Sequence, residues 1–207
     1  YQGVRRLAFG GMAEVLLAKQ VAVGGFEKFV VLKRILPQHA ANPEFLNLFL
    51  REARLSSRIV HPNVVQVLDV VEQGGEYFMV MEFVDGQSLR NLVRQAVQHR
   101  THLSVNLVVK ILAELAGALA AAHEHRSDND QLNPIVHRDL SPDNAMLSKQ
   151  GHVKLTDFGL ARAAEDVKLT RTGAVTGTPL YMAPEQAMGE QADHRSDLFS
   201  LGAIVYE

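Results

Sequence analysis

Three oxygen-bearing side chains constrain this chain more than any other feature. They lie in His137-Arg138-Asp139-Leu140-Ser141-Pro142-Asp143-Asn144 and in Asp157-Phe158-Gly159. The carboxamide of Asn144 and the carboxylate of Asp157 are ligands of the kind that Mg²⁺ takes. That ion prefers oxygen and keeps several waters, so two protein groups suffice. A further acid, Asp139, can orient an attacking hydroxyl. Metal-assisted phosphoryl transfer needs this set of groups. An isolated Asp or Asn reads more simply as a turn or cap. The weight comes from their order, and from matching motifs before and after them.

Composition sets looser bounds. The chain has 207 residues, 47% of them hydrophobic and 21% charged, which suits a globular chain of one bilobal domain or two small ones. Formal net charge is −2, so the basic excess of a nucleic-acid binder is missing and no nucleic-acid partner is expected. There is no cysteine, which excludes disulfides and thiolate metal sites and fits a reducing compartment. His123-Glu124-His125 lacks the H-E-x-x-H zinc spacing and reads as a polar helix end. Ile111 to Ala122 is apolar, but it reads as too short for a membrane span and has Lys110, Glu114 and Glu124 in or beside it. A membrane association is expected only through a span outside this chain.

The chain reads in two halves. Val4 to Ala8 and Glu14 to Gln20 are β-prone runs around the turn Phe9-Gly10-Gly11-Met12, and Phe29 to Leu36 is a third strand that Pro37 ends. Pro43 to Ile59 has helical spacing of Phe45, Leu48, Phe49, Leu55 and Ile59. Val64 to Val71 and Glu76 to Phe83 are strands joined at Gly74-Gly75, a hairpin signal. Five strands and one helix make a β-rich lobe. Beyond the join at Asp85-Gly86, Ser88 to Gln98 and Ser104 to Arg126 are helical, with Ser104 as N-cap. Arg126 to Pro134 reads as an exposed loop. Short strands follow at Ala145 to Leu147 and Val153 to Leu155, then a Thr- and Gly-rich loop and a helix from about Ser196 to Glu207. The expected class is α+β, with lobes at 1–84 and 85–207.

On these motifs the chain resembles the eukaryotic-like serine/threonine protein kinases, most closely the bacterial ones, from Leu7 to Glu207. The resemblance implies the bilobal kinase fold with ATP in the cleft between the lobes, Mg²⁺ as the metal, and protein Ser/Thr hydroxyls as acceptors. It implies a cytoplasmic catalytic domain within a protein that could be membrane-anchored elsewhere. It also implies a C-lobe that stops near the family's helix F, with further helices, and the arginine partner of Glu185, beyond Glu207. Lys33 closes Val30-Val31-Leu32-Lys33 and corresponds to the phosphate-contacting lysine; Glu52 corresponds to its helical partner. Asp139 is implied as the base or orienter of the substrate hydroxyl, and Asn144 and Asp157 as the Mg²⁺ ligands. Leu7, Val15 and Val31 would roof adenine, with Met146 as the floor, Met81 as gatekeeper and Glu82-Phe83-Val84 as the hinge. Val31 stands where the family usually has alanine, which would lower the roof. Asp197 corresponds to the aspartate that supports the catalytic loop.

Two departures matter. The family's G-x-G-x-x-G-x-V reads Ala8-Phe9-Gly10-Gly11-Met12-Ala13-Glu14-Val15, keeping Gly10 with Gly11 beside it. Alanine removes backbone freedom but no N–H donor, so the loop can still cover phosphate if φ stays negative. The usual lysine two residues after the catalytic aspartate is Ser141, and the arginine that tyrosine kinases supply two positions later is Asp143. Loss of a cation beside developing charge should slow transfer. The alternative reading is therefore a pseudokinase-like module that binds nucleotide or partners with little turnover. Between Asp157 and Ala183-Pro184-Glu185, Thr170, Thr172, Thr176 and Thr178 mark an activation segment. Arg138 and Arg162 are candidate phosphate partners, and Thr170 and Thr172 the expected phosphosites.

Overall fold

The structure, a computed structural model, describes residues 1–158 and 179–207. The segment with Arg162, Thr170, Thr172, Thr176 and Thr178 lies outside the described residues. The chain forms two compact units: Tyr1–Ser57 with Gln66–Phe83, and Arg58–Val65 with Val84–Glu207.

The first unit is a five-stranded antiparallel sheet in the order β1-β2-β3-β5-β4. Its strands are β1 (Gln2–Phe9), β2 (Ala13–Val21), β3 (Glu27–Ile35), β4 (Val67–Gln73) and β5 (Glu76–Glu82). Alternation sorts the side chains onto two faces. Ala18, Val30, Leu32 and Val80 are buried together, with Leu16, Val71 and Phe78 packed on them. The cross-strand pairs Val15↔Lys33, Leu17↔Val31, Val31↔Met81 and Lys33↔Met79 occupy the other face. Pairing is regular through β2, β3 and β5. It shifts between Gly3 and Arg5 and between Arg6 and Ala8 in β1, and between Val67 and Asp69 in β4. Gly74 and Gly75, both at positive φ, turn β4 into β5. Two helices follow β3, not one: α1 (Pro37–Ala40), with Pro37 in its first turn, and α2 (Pro43–Ser57). Proline has no N–H to lose there and its φ suits a helix start.

The strand expected from Val64 begins instead at Val67. Val64 and Val65 belong to the second unit, where the Val65 N–H donates to Leu155 O at 2.8 Å and the Leu155 N–H donates to Asn63 O at 2.8 Å. A run of valines is apolar on either partner, so its pattern could not tell which one it would join.

The second unit carries a three-stranded sheet of β6 (Gly86–Ser88), β7 (Ala145–Ser148) and β8 (Val153–Leu155). Around it are α3 (Leu89–Gln98), α4 (Val105–His123), α5 (Pro184–Ala187) and α6 (His194–Tyr206). Ser88 and Ser104 cap α3 and α4 by accepting from the N–H groups of Asn91 and Leu107, each at 3.3 Å. α4 is longer than the apolar stretch Ile111 to Ala122, and by length and composition alone it could cross a membrane. It is built as a core helix of this unit. Ile111, Leu115, Ala118, Leu119 and Ala122 are buried, and Glu114 accepts hydrogen bonds from Asn63 Nδ2 at 2.9 Å and Val153 N at 3.0 Å.

β6 was not anticipated, and Gly86 explains how so short a strand can pair. A Cβ there would lie 1.8 Å from Leu147 O, so only glycine lets the two backbones approach. Gly86→Ala is expected to destabilise the second unit by about 1–3 kcal/mol, the usual cost of overpacking. A thermal melt should show the loss as a fall in Tm, whereas Gly3→Ala, where a Cβ meets nothing within 4 Å, should leave Tm unchanged.

Candidate active site

In the first unit, Lys33 Nζ donates to Glu52 Oε1 at 3.0 Å, and both side chains are buried. β3 presents Lys33 on the face shared with Val15, Val31 and Met81, and α2 brings Glu52 to it. Met81 is buried near the end of β5. Glu82 closes that strand: its N–H donates to Gln66 O at 3.0 Å, and its Oε2 accepts from the Gln66 N–H at 3.2 Å. Leu7 is exposed in β1 at the register shift between Arg6 and Ala8. Gly10 and Gly11 join β1 to β2, and neither has a positive φ. A Cβ on Gly11 would meet nothing within 4 Å, and one on Gly10 would meet only Ala13 O at 3.5 Å. The fold itself therefore does not require glycine at either place, and neither Ala8 nor Ala13 takes a positive φ.

A further buried charge, Glu14, was missed by the sequence reading. Glu14 is paired with Arg34, its cross-strand neighbour, and Arg34 Nη1 donates to Glu76 Oε1 at 2.7 Å. This chain of charges ties the start of β2 to β3 and β5.

In the second unit, the loop from His137 to Asn144 is held by one carboxylate. Asp197, buried in the first turn of α6, accepts the His137 N–H on Oδ2 and the Arg138 N–H on Oδ1, each at 2.8 Å. His123 Nε2 lies 2.7 Å from the same Oδ2. Arg138 has φ +68, a left-handed conformation that costs a non-glycine residue about 1–2 kcal/mol. The peptide groups on both sides are pinned, because the carbonyl of Arg138 accepts from Gln186 Nε2 at 2.8 Å. His137 is fully buried. Its Nε2 donates to Thr156 O at 2.9 Å, and its Nδ1 accepts the Asp139 N–H at 3.3 Å. Only the neutral ring with the proton on Nε2 satisfies both contacts.

Asn144 is tied to Asp139 by its amide, which donates to Asp139 O at 2.8 Å and to Oδ2 at 3.3 Å. A carbonyl oxygen only accepts, so the NH₂ group faces Asp139 and Oδ1 is left as the atom suited to a cation. The Thr156 N–H donates to Asn144 O at 3.0 Å, which sets Asn144 beside the strand end that leads into Asp157. Asp157 has φ +64, and Phe158 after it is buried against the His137 ring, centroids 4.7 Å apart. The donor set of a carboxamide oxygen and a carboxylate fits Mg²⁺. Met146 lies in β7 between Ser88 and Lys154, and Val84 lies between β5 and β6.

Arg90 was not singled out from the sequence. It lies in the first turn of α3, donates Nε to Asp143 Oδ2 at 3.3 Å and Nη2 to the Tyr181 hydroxyl at 2.7 Å, and its N–H donates to Pro142 O at 3.0 Å. Tyr181 has its phenol raised above the ordinary value, first by burial and then by its hydrogen bond to Glu207, with Arg90 opposing. Asp143 is therefore already engaged by a cation from another element, while Ser141 is buried. Glu185 accepts from Ser196 Oγ at 2.6 Å, which joins α5 to α6.

The protein kinase domain family matches residues 1–207. The chain is 44% identical over its full length to a Myxococcus xanthus protein named tyrosine-protein kinase MasK, of which it covers 32%. It is 34% identical to the Bacillus subtilis serine/threonine-protein kinase PrkC, with all of the chain and 30% of that protein covered. It is 39% identical to the serine/threonine-protein kinase PknB of Mycolicibacterium smegmatis, with 97% of the chain and 31% of that protein covered. The chain thus spans about a third of the length of the curated relatives it matches. Among solved structures it is similar to the Mycobacterium tuberculosis PknI kinase domain, with a TM-score of 0.72 and 30% identity, covering 100% of this chain and 70% of that one.

Replacing Asp197 by Asn removes the charge and sets an NH₂ group against at least one donor. Hydrogen bonds to a charged group contribute about 1.5–3 kcal/mol each. Asp197→Asn is therefore expected to lower stability by about 3 kcal/mol or more, read as a fall in the urea midpoint with an unchanged m-value.

Proposed function

The chain belongs to the protein kinase domain family, and we propose that it is the catalytic domain of a serine/threonine protein kinase that transfers the γ-phosphate of Mg–ATP to protein hydroxyls. The observation that carries the reading is the buried Lys33–Glu52 pair at 3.0 Å. Burying two charges is a poor way to stabilise a fold, because desolvation offsets much of the attraction. A cation held rigid inside an apolar sheet is, however, what a triphosphate needs. Kinases of this family use ATP and Mg²⁺ generally.

In this reading Lys33 contacts the phosphates and Glu52 holds it. Asp139 orients the acceptor hydroxyl, and Asn144 Oδ1 and Asp157 hold Mg²⁺. Mg²⁺ supplies charge neutralisation on the phosphates. Asn144 serves Asp139 as well, so metal binding and base orientation share one side chain. The assignments of Leu7, Gly10, Gly11, Val15, Val31, Met81, Glu82, Val84 and Met146 to the nucleotide belong to the same reading. So does a cytoplasmic location, with any membrane anchor outside this chain. The relatives PrkC and PknB are named serine/threonine kinases, which supports hydroxyls of Ser and Thr as acceptors and favours turnover over a binding-only module. Thr170 and Thr172 are proposed as regulatory phosphosites whose added charge orders the segment against Arg138 and Arg162.

Two tests follow from this assignment. Incubated with Mg–ATP, the full-length protein is expected to phosphorylate Ser/Thr peptides in preference to Tyr peptides. Lys33→Met and Asp157→Asn should each lower the rate by about 100-fold or more, on the scale of losing a group that stabilises developing charge, with far-UV circular dichroism unchanged. Full rate in both variants would remove the assigned site. Mass spectrometry after the same incubation should find phosphate on Thr170 and Thr172, and replacing both by Ala should lower activity. A fully active double variant, with phosphate only elsewhere, would sink the regulatory part.

A further inference from the structure

The turn between β1 and β2 is held from outside itself. Within it, the Gly10 N–H donates to Ala13 O at 2.9 Å. From outside, the Leu36 N–H donates to Met12 O at 2.9 Å, and His39 Nε2 lies 2.9 Å from Gly11 O. A carbonyl cannot donate, so His39 carries its proton on Nε2 and donates it. Its ring packs on Phe45 of α2, centroids 4.8 Å apart, which fixes the direction of that proton.

Two consecutive carbonyls, Gly11 and Met12, are thus drawn toward the segment after β3. No described peptide is cis. In a planar trans peptide the N–H points opposite to the C=O. The N–H groups of Met12 and Ala13 are therefore both turned away from that segment, side by side. Successive N–H groups on one side form an anion-binding concavity. In a strand they would alternate, and the pair of outside bonds prevents it.

We propose that His39 is a positioning residue for the nucleotide phosphates: by holding the Gly11 carbonyl it turns the Met12 N–H to the side on which Leu36, through the Met12 carbonyl, sets the Ala13 N–H, so that both face an anionic triphosphate. The role rests on the kinase reading above. It answers the low glycine content of the loop. A loop that keeps negative φ and carries alanine at 8 and 13 gains its shape from a histidine on α1, in place of the freedom of glycine. His39 touches no reacting atom, and acts through the backbone of the turn.

The experiment compares the full-length wild type with His39→Ala and His39→Gln, and Lys33→Met serves as the reference for nucleotide binding. Glutamine can place an Nε2 donor near the same carbonyl, whereas alanine cannot. The expected result is a rise of about three- to tenfold in KM for ATP in His39→Ala, the worth of one ordinary hydrogen bond, with a smaller change in kcat. The affinity for adenosine, which has no phosphate, and the Tm without ligand should stay within error of the wild type. His39→Gln should recover most of the ATP affinity. Unchanged KM in His39→Ala overturns the proposal, as does equal loss of adenosine and ATP binding. Failure of His39→Gln to rescue also overturns it, because ring packing would then be the cause. If wild type and Lys33→Met bind ATP equally poorly, the kinase reading fails and takes this one with it. If wild type binds ATP in a Lys33-dependent way and only His39→Ala is silent, this proposal alone fails.

Discussion

The Asp197 carboxylate is the constraint on which the second unit depends. It is buried, it takes the backbone N–H groups of two successive residues, and it meets His123. The two N–H groups flank His137, and the next residue, Arg138, takes a positive φ, so the chain turns just after the pair that Asp197 holds. The bend turns Asp139 and Asn144 back toward each other, and it aims the His137 ring at Thr156 and Phe158. A left-handed residue persists only where its surroundings over-determine it. Here Asp197 and Gln186 hold the peptide groups on its two sides. The placement of Asp139 and Asn144 is thus set by a helix, α6, that supplies neither residue.

The first unit places its charges in another way. Strand alternation sends Lys33 to the face opposite the Ala18–Val30–Leu32–Val80 cluster, and the regular pairing of β2, β3 and β5 fixes its register. A slip of one residue would put Val30 and Leu32 in place of Val31 and Lys33. The apolar cluster is therefore what keeps the lysine on its side. Arg34, the next residue, points the other way and finds Glu14 and Glu76. Two neighbouring cations on one strand thus have two separate sets of carboxylates, one for each face.

The features legible in the sequence were those with a local composition signal, a helical period or a fixed motif spacing. β-prone runs and the turn residues between them marked the strands of the first unit, Ser104 marked the start of α4, and motif order brought forward Lys33, Glu52, Asp139, Asn144 and Asp157 as candidates. The features that were not legible depend on partners far away in the chain. Val64 and Val65 look like strand residues and do pair, but with Leu155. Arg90 reads as a helix-surface arginine until Tyr181 is folded against it. His39 falls in a single turn of helix after a proline, where apolar periodicity has no room to show. β6 has three residues, fewer than any pattern can register, and the glycine at its start reads in the sequence only as part of the join at Asp85-Gly86.

The irregular pairings of the first sheet have a distribution of their own. Every register shift lies in a pair that involves β1 or β4, the two edge strands, and none lies in the pairs among β2, β3 and β5. A bulge interrupts the evenly spaced row of outward N–H and C=O groups that a foreign strand needs in order to add on, and it twists the edge locally. In β1 the interruptions fall around Arg5 and Arg6, so a strand approaching that edge meets charge as well as broken spacing. The sheet is regular where register must aim Lys33 and irregular where regularity would invite polymerisation, and the same fold thereby separates precision at its centre from self-protection at its rims.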